Sequence, residues 1–214
     1  GEGKIGGKAA GLLLAARILE EVAPKEIRAH FRTPKSYFLG SSVMYNVMEN
    51  NGLMKWSDQK YKPEEQIRAE YPALVKDFRA AKFPEEIVEQ LRELIEIAKD
   101  RPLIVRSSSL LEDNFGASFA GKYESYFCPN QGNVEENLAY LTDAIAQVYA
   151  SALRAEPIIY RQQTALIDYD ERIAVLIQFV EGEKFGDYFL PHGAGVAFSR
   201  NLYRWSADIK REDG

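Results

Sequence analysis

Cysteine is almost missing from this chain: Cys128 is the single thiol in 214 residues. That excludes an internal disulfide and a cysteine-rich zinc site, and it fits a reducing compartment, by default the cytoplasm. Histidine is nearly as scarce, His30 and His192 being the only two. Without a third ligand they make no zinc site. No window approaches about 18 uncharged apolar residues, and Gly1 to Lys8 lacks the basic-then-apolar order of a secretory leader, so neither a membrane span nor an address is expected. Positive charge is in deficit, with 27 Lys and Arg against 32 Asp and Glu and a net charge of −5. This balance argues against a non-specific grip on nucleic acid or anionic lipid and leaves any anionic ligand to be held locally.

Apolar residues are plentiful, at 46% with 12% aromatic, enough for a real core in one domain or two small lobes. A glycine-rich opening, Gly1-Glu-Gly-Lys-Ile-Gly-Gly-Lys8, feeds a helix in which Ala9, Leu12, Leu13, Ala16 and Leu19 recur at helical spacing and which ends before Pro24. Ser36 to Leu39 reads as a short strand, and Ser41 or Ser42 as the cap of a helix carrying Val43, Val47 and Met48 that stops at Asn51-Gly52. Residues 63–81 predict a helical but polar surface excursion interrupted by Pro72. After Pro84 at a first-turn position, Ile87, Val88, Leu91, Leu94, Ile95 and Ala98 form one apolar stripe. Leu103 to Val105 reads as a strand buried on both faces and ending at Arg106, and Tyr123 to Cys128 as another. Asn133, with Glu136 three places on, opens a long helix. Pro157 restarts a shorter one to about Leu166, and Ile173–Val180 and Gly195–Ser199 read as strands with Tyr188 and Phe189 between them. Irregularly ordered helices and strands predict an α+β fold. We divide the chain into a mostly helical portion, 1–100, and a mixed portion, 101–214.

Two phosphate patterns occur out of context. Gly1-Glu-Gly3-Lys-Ile-Gly6 fits G-x-G-x-x-G but has no strand ahead of it. Gly116-Ala-Ser-Phe-Ala-Gly121-Lys122-Tyr123 nearly fits a P-loop, yet Tyr123 stands where a small hydroxyl binds magnesium, and a strand follows rather than a helix. What survives is physical. The small residues from Gly116 to Gly121 let backbone N–H groups approach an anion, and Ser118 adds a hydroxyl. An ordinary surface hairpin accounts for that loop alone. An arginine delivered by a buried strand, just ahead of Ser107-Ser-Ser109 and Glu112-Asp113, is by contrast suited to hold an anion, because a buried guanidinium must be paired. Asp168-Tyr-Asp170-Glu171 has the spacing of a magnesium site, but charged turns between a helix and a strand are routine.

These residues together resemble the N-terminal ATP-binding domain of the phosphoenolpyruvate synthase and pyruvate phosphate dikinase family. The resemblance rests on Gly6-Gly7-Lys8-Ala-Ala-Gly11-Leu12, on Ile104-Val-Arg106-Ser-Ser108 with Glu112-Asp113, and on Ala117-Ser-Phe-Ala-Gly121 leading into Tyr123-Glu-Ser125. Ile177-Gln-Phe-Val180 and Gly195-Val-Ala-Phe-Ser-Arg200 add weaker support. It implies an ATP-grasp fold, here incomplete at its C-terminal end, and a phosphotransferase that passes a phosphoryl group from ATP to a histidine and on to pyruvate.

By the same resemblance Lys8 contacts the ATP phosphates and Arg106 stabilises the phosphoryl group in transit. Gly116, Ser118, Phe119, Ala120 and Gly121 would form the loop over the phosphates. Gln178, Phe179 and Val180 would read adenine through backbone N–H and C=O groups, although the edge of a core strand explains them as well. Arg200 is a candidate nucleotide contact in Ser199-Arg-Asn-Leu202, where the family often has a proline after Thr-Arg-Asx. Glu112 and Asp113 fit catalysis, a solvated loop or an ion pair with Arg106. The cofactors implied are ATP and Mg2+, with metal ligands mainly outside this chain. The partners implied are phosphohistidine and pyruvate-binding domains, and because the metal has few ligands here the expectation for the chain alone is weak nucleotide binding without turnover. A degenerate ATP-sensing or interaction module, or an ATP-grasp enzyme acting on an antibiotic or glucan, is the alternative.

Overall fold

The computed structural model describes residues 3–109, 124–168, 173–195, 200, 206, 208–210 and 212, together with 113–114 and 117–118 along their backbone. The chain divides into two compact units, Gly1–Val180 and Glu181–Gly214.

The first unit is built on a four-stranded antiparallel sheet. Its strands are β1 (Ser36–Leu39), β2 (Leu103–Ser108), β5 (Ser125–Cys128) and β6 (Ala174–Phe179), in the order β1-β6-β2-β5. A short antiparallel pair, β3 (Asp113–Asn114) and β4 (Ala117–Ser118), stands apart from it. The helices are α1 (Gly6–Glu21), α2 (Lys25–Arg28), α3 (Ser41–Asn50), α4 (Glu64–Arg79), α5 (Glu85–Ala98), α6 (Val134–Ser151) and α7 (Ala155–Gln163), and Leu53–Tyr61 forms a 3-10 helix that the sequence did not announce. This mixture of helices with an antiparallel sheet is α+β.

Alternation along the strands gives the sheet two different faces. Leu39, Leu103, Val105, Cys128, Val175, Ile177 and Phe179 face a core completed by α3, α4, α5 and α6. The α6 stripe of Leu138, Leu141, Ile145 and Val148 is buried there, and so is the α5 stripe of Ile87, Leu91, Leu94, Ile95 and Ala98. A single core therefore draws on residues from both sides of position 100. The opposite face carries Ser36 and Phe38, Ile104, Arg106 and Ser108, Ser125 and Phe127, and Leu176 and Gln178, by the same alternation.

Several local expectations change. Asn133 caps α6 as predicted, accepting from the Glu136 N–H at 3.0 Å while the Glu136 carboxylate accepts from the Asn133 N–H at 2.9 Å. Ser41 does not cap α3: Gly40 holds that position, and the Ser41 hydroxyl instead accepts from the Lys4 N–H at 3.2 Å. Residues 64–79 are helical as expected but not a surface excursion, because α4 is continuous through Pro72 and buries Ile67, Leu74 and Phe78. Pro72 is exposed. The carbonyl four residues before it therefore loses its helical donor on the wet side, where water can replace it. α1 keeps Ala9 fully buried, but Leu13, Leu14 and Ile18 are exposed. Strand β2 runs on to Ser108 with alternating burial, so Arg106 lies within it, not at its end, and Ile104 is only half-buried.

In the second unit, β7 (Glu183–Phe185) and β8 (Tyr188–Leu190) form a hairpin that turns through Gly186 at φ +60°. Tyr188 and Phe189 thus belong to a strand of their own. The expected strand at 195–199 lies outside the described residues except for Gly195. Among the described residues no helix is long and apolar enough to cross a membrane.

Candidate functional site

The glycine-rich opening docks a helix onto a strand. Gly6 has φ +77°, and a Cβ built on it would lie 1.9 Å from the Ser108 carbonyl oxygen. Only glycine permits that approach. The Gly7 N–H donates to the Ser109 carbonyl at 2.9 Å, and the Ala9 N–H to the Ser108 hydroxyl at 3.1 Å. Two donors that a helix leaves open in its first turn are thus satisfied by the end of β2. Lys8, half-buried on this turn, reaches the Ser107 carbonyl oxygen with its ammonium at 3.4 Å.

Arg106 is the residue immediately before. It is half-buried, and its Nη1 donates to the Gln178 side-chain oxygen at 3.3 Å. Ile104 is the register partner of Gln178, so Arg106 meets the Gln178 amide diagonally across the β2–β6 pair. Among the described residues its guanidinium meets this neutral amide and no carboxylate. The Gln178 Nε2 in turn donates to the Ser36 hydroxyl oxygen at 3.1 Å, which donates to the Pro34 carbonyl at 2.8 Å. Arg106 thus meets Gln178 side chain to side chain, while Lys8 reaches the backbone of the residue that follows Arg106.

Other candidates fall elsewhere. The Phe179 side chain turns to the core face, stacked at 6.0 Å on Tyr37. Its N–H donates to the Lys35 carbonyl at 3.0 Å, and the Val180 N–H to the Pro102 carbonyl at 2.9 Å. Arg101 donates to the Val180 carbonyl at 3.3 Å. The two N–H groups expected to meet adenine are therefore engaged within the protein. Ser118 lies in β4, paired with Asp113 in β3, and β3 lies against α1. Gly116, Phe119, Ala120, Gly121 and Glu112 lie outside the described residues. Arg200 is exposed and belongs to the second unit.

Sequence reasoning missed Ser36 and the docking role of Ser108. The motif around Arg106 contains Ser108, but nothing local distinguishes Ser36 from any serine that opens a strand. Cys128 faces the core, where burial pushes its thiol up to about 11, so it is a packing residue rather than a nucleophile. Asp168 accepts from the Tyr61 hydroxyl at 3.0 Å, while Asp170 and Glu171 lie outside the described residues. His30 is exposed, and His192 lies 3.9 Å from Glu183. Among the described residues no three His, Cys, Asp or Glu side chains gather as metal ligands.

The family model described as pyruvate phosphate dikinase, AMP/ATP-binding domain, matches residues 2–213. No curated protein matches the chain.

Proposed function

The chain belongs to the AMP/ATP-binding domain family of pyruvate phosphate dikinase, and on that premise we propose that the Arg106 face of its sheet receives the triphosphate of ATP. One observation carries the reading. The Lys8 ammonium contacts the carbonyl of Ser107, next along β2 from Arg106, whose described partner is a neutral amide. A half-buried guanidinium beside an uncharged partner is completed by an anion, and phosphate oxygens match its fork of donors.

Lys8 neutralises phosphate charge. Arg106 stabilises the phosphoryl group in transit, because a loose transition state leaves the protein mainly positioning and charge neutralisation to supply. Residues 116–121, with the hydroxyl of Ser118, close over the phosphates and keep water from competing for the phosphoryl group. Gln178, Phe179 and Val180 remain the strand end assigned to adenine, through groups other than the two engaged N–H donors. Magnesium would neutralise phosphate charge when bound, but the donor set among the described residues does not fit it, and no step is assigned to it. In a protein that also carries phosphohistidine and pyruvate-binding domains, the phosphoryl group passes from ATP to the histidine and then to pyruvate.

Labelling of such a full-length protein with γ-labelled ATP tests this. Arg106→Ala is expected to slow labelling about 100- to 1,000-fold, the loss typical of one transition-state donor. Equal labelling of wild type and variant would remove Arg106 from its role. Tight nucleotide binding without any label would point to a sensor.

A further inference from the structure

The polarity of the Gln178 amide is held from both ends, by Arg106 and by Ser36. Ser36 opens β1, and its single hydroxyl proton goes to the Pro34 carbonyl, which can only accept, at 2.8 Å. Toward Gln178 the Ser36 oxygen is therefore an acceptor, and the amide end facing it at 3.1 Å must be the NH2 group. The carbonyl end is left for Arg106 Nη1 at 3.3 Å. Gln178 is 6% exposed, so water has little access to substitute for either bond.

We propose that Ser36 is a positioning residue for Arg106, acting through Gln178. Without the Ser36 hydroxyl the buried NH2 group has no acceptor, and Arg106 alone opposes a half-turn of the amide. That turn would set NH2 against the guanidinium, donor against donor, and release Arg106 to other rotamers. The Pro34 carbonyl, Ser36, Gln178 and Arg106 thus form one directed chain of hydrogen bonds, from the turn before β1 across β6 to β2. The inference rests on the reading of Arg106 as a phosphate contact.

A double-mutant cycle tests it, titrating the full chain calorimetrically with ATP and separately with adenosine. Ser36→Ala is expected to weaken ATP binding about 3- to 10-fold, the range for one lost hydrogen bond, while leaving adenosine binding unchanged. Ser36→Thr, which keeps the hydroxyl, is expected to restore ATP binding. In an Arg106→Ala background Ser36→Ala is expected to do nothing further. An equal loss for ATP and adenosine, or the same loss with and without Arg106, overturns the role of Ser36 and leaves the phosphate reading intact. No effect of Ser36→Ala overturns it as well. Unchanged ATP binding in Arg106→Ala, or no ATP binding by the wild type, removes both readings. If Ser36→Ala fails to fold, Ser36→Val, the shape of the Thr variant without its hydroxyl, is expected to show the same ATP-selective loss, and an unselective loss overturns the proposal.

Discussion

At the scale of single residues, the candidate site depends on a helix and a strand whose backbones approach closer than side chains allow. Gly6 is the contact point. Its φ of +77° and the 1.9 Å separation between a built Cβ and the Ser108 carbonyl leave alanine no room. Gly6→Ala is expected to destabilise the protein by at least the roughly 1–3 kcal/mol of a strained backbone position, read as a lower midpoint in urea denaturation. It should also weaken ATP binding by moving Lys8, whereas an unchanged midpoint would show that α1 contributes little by docking on β2. Arg106 stands out in the sequence physically, as a cation carried by an apolar strand ahead of serines, whereas Lys8 is singled out through the family resemblance. The glycines themselves were legible only as a phosphate-like pattern. Their observed task, letting a helix touch a strand, depends on a partner 102 positions from Gly6 in the chain, at Ser108.

At the scale of elements, periodicity was a good guide wherever a stripe and its punctuation agreed. The helices at Glu85–Ala98 and Val134–Ser151 and the strand at Ser36–Leu39 fall where apolar spacing and capping chemistry put them. α4 is helical as its spacing indicates, but its proline and charges conceal that it is continuous and that Ile67, Leu74 and Phe78 are buried. Burial of those three side chains outweighs the local defect. Pro72→Ala, which restores an N–H to the exposed face of α4, is expected to stabilise the protein by up to about 3 kcal/mol. A thermal midpoint that stays level or falls would mean that the proline's bend is needed for packing against α6.

For the molecule as a whole, charge reinforces a join between α4 and α7 that Ile67, Ala155 and Ile158 also make by apolar packing. Glu156 of α7 accepts from Arg68 of α4 at 2.7 Å and from Arg154 at 3.0 Å, and Arg154 also pairs with Glu124 ahead of β5. Arg68 first, with Arg154 assisting against the opposing effect of burial, holds the Glu156 carboxyl near 2 instead of the usual 4.5. A carboxyl held low stabilises the fold fully above its ordinary range, and that stability is lost as pH falls from about 4.5 toward 2. Glu156→Gln is therefore expected to flatten the fall of the thermal midpoint between pH 5 and 2. Parallel curves for wild type and variant would assign acid sensitivity to other groups. Strand order was the least legible feature, because alternation marks a strand without naming its neighbour. Ser36 and Gln178 meet across 142 positions.

That same separation has a consequence for synthesis. β6 sits between β1 and β2, so neither strand has its central neighbour until residues 174–179 emerge. A nascent chain halted earlier holds Lys8 and Arg106 but not the strand that carries Gln178. Competence to grip a nucleotide should therefore arrive late in translation and all at once, as non-local pairings of this kind generally do.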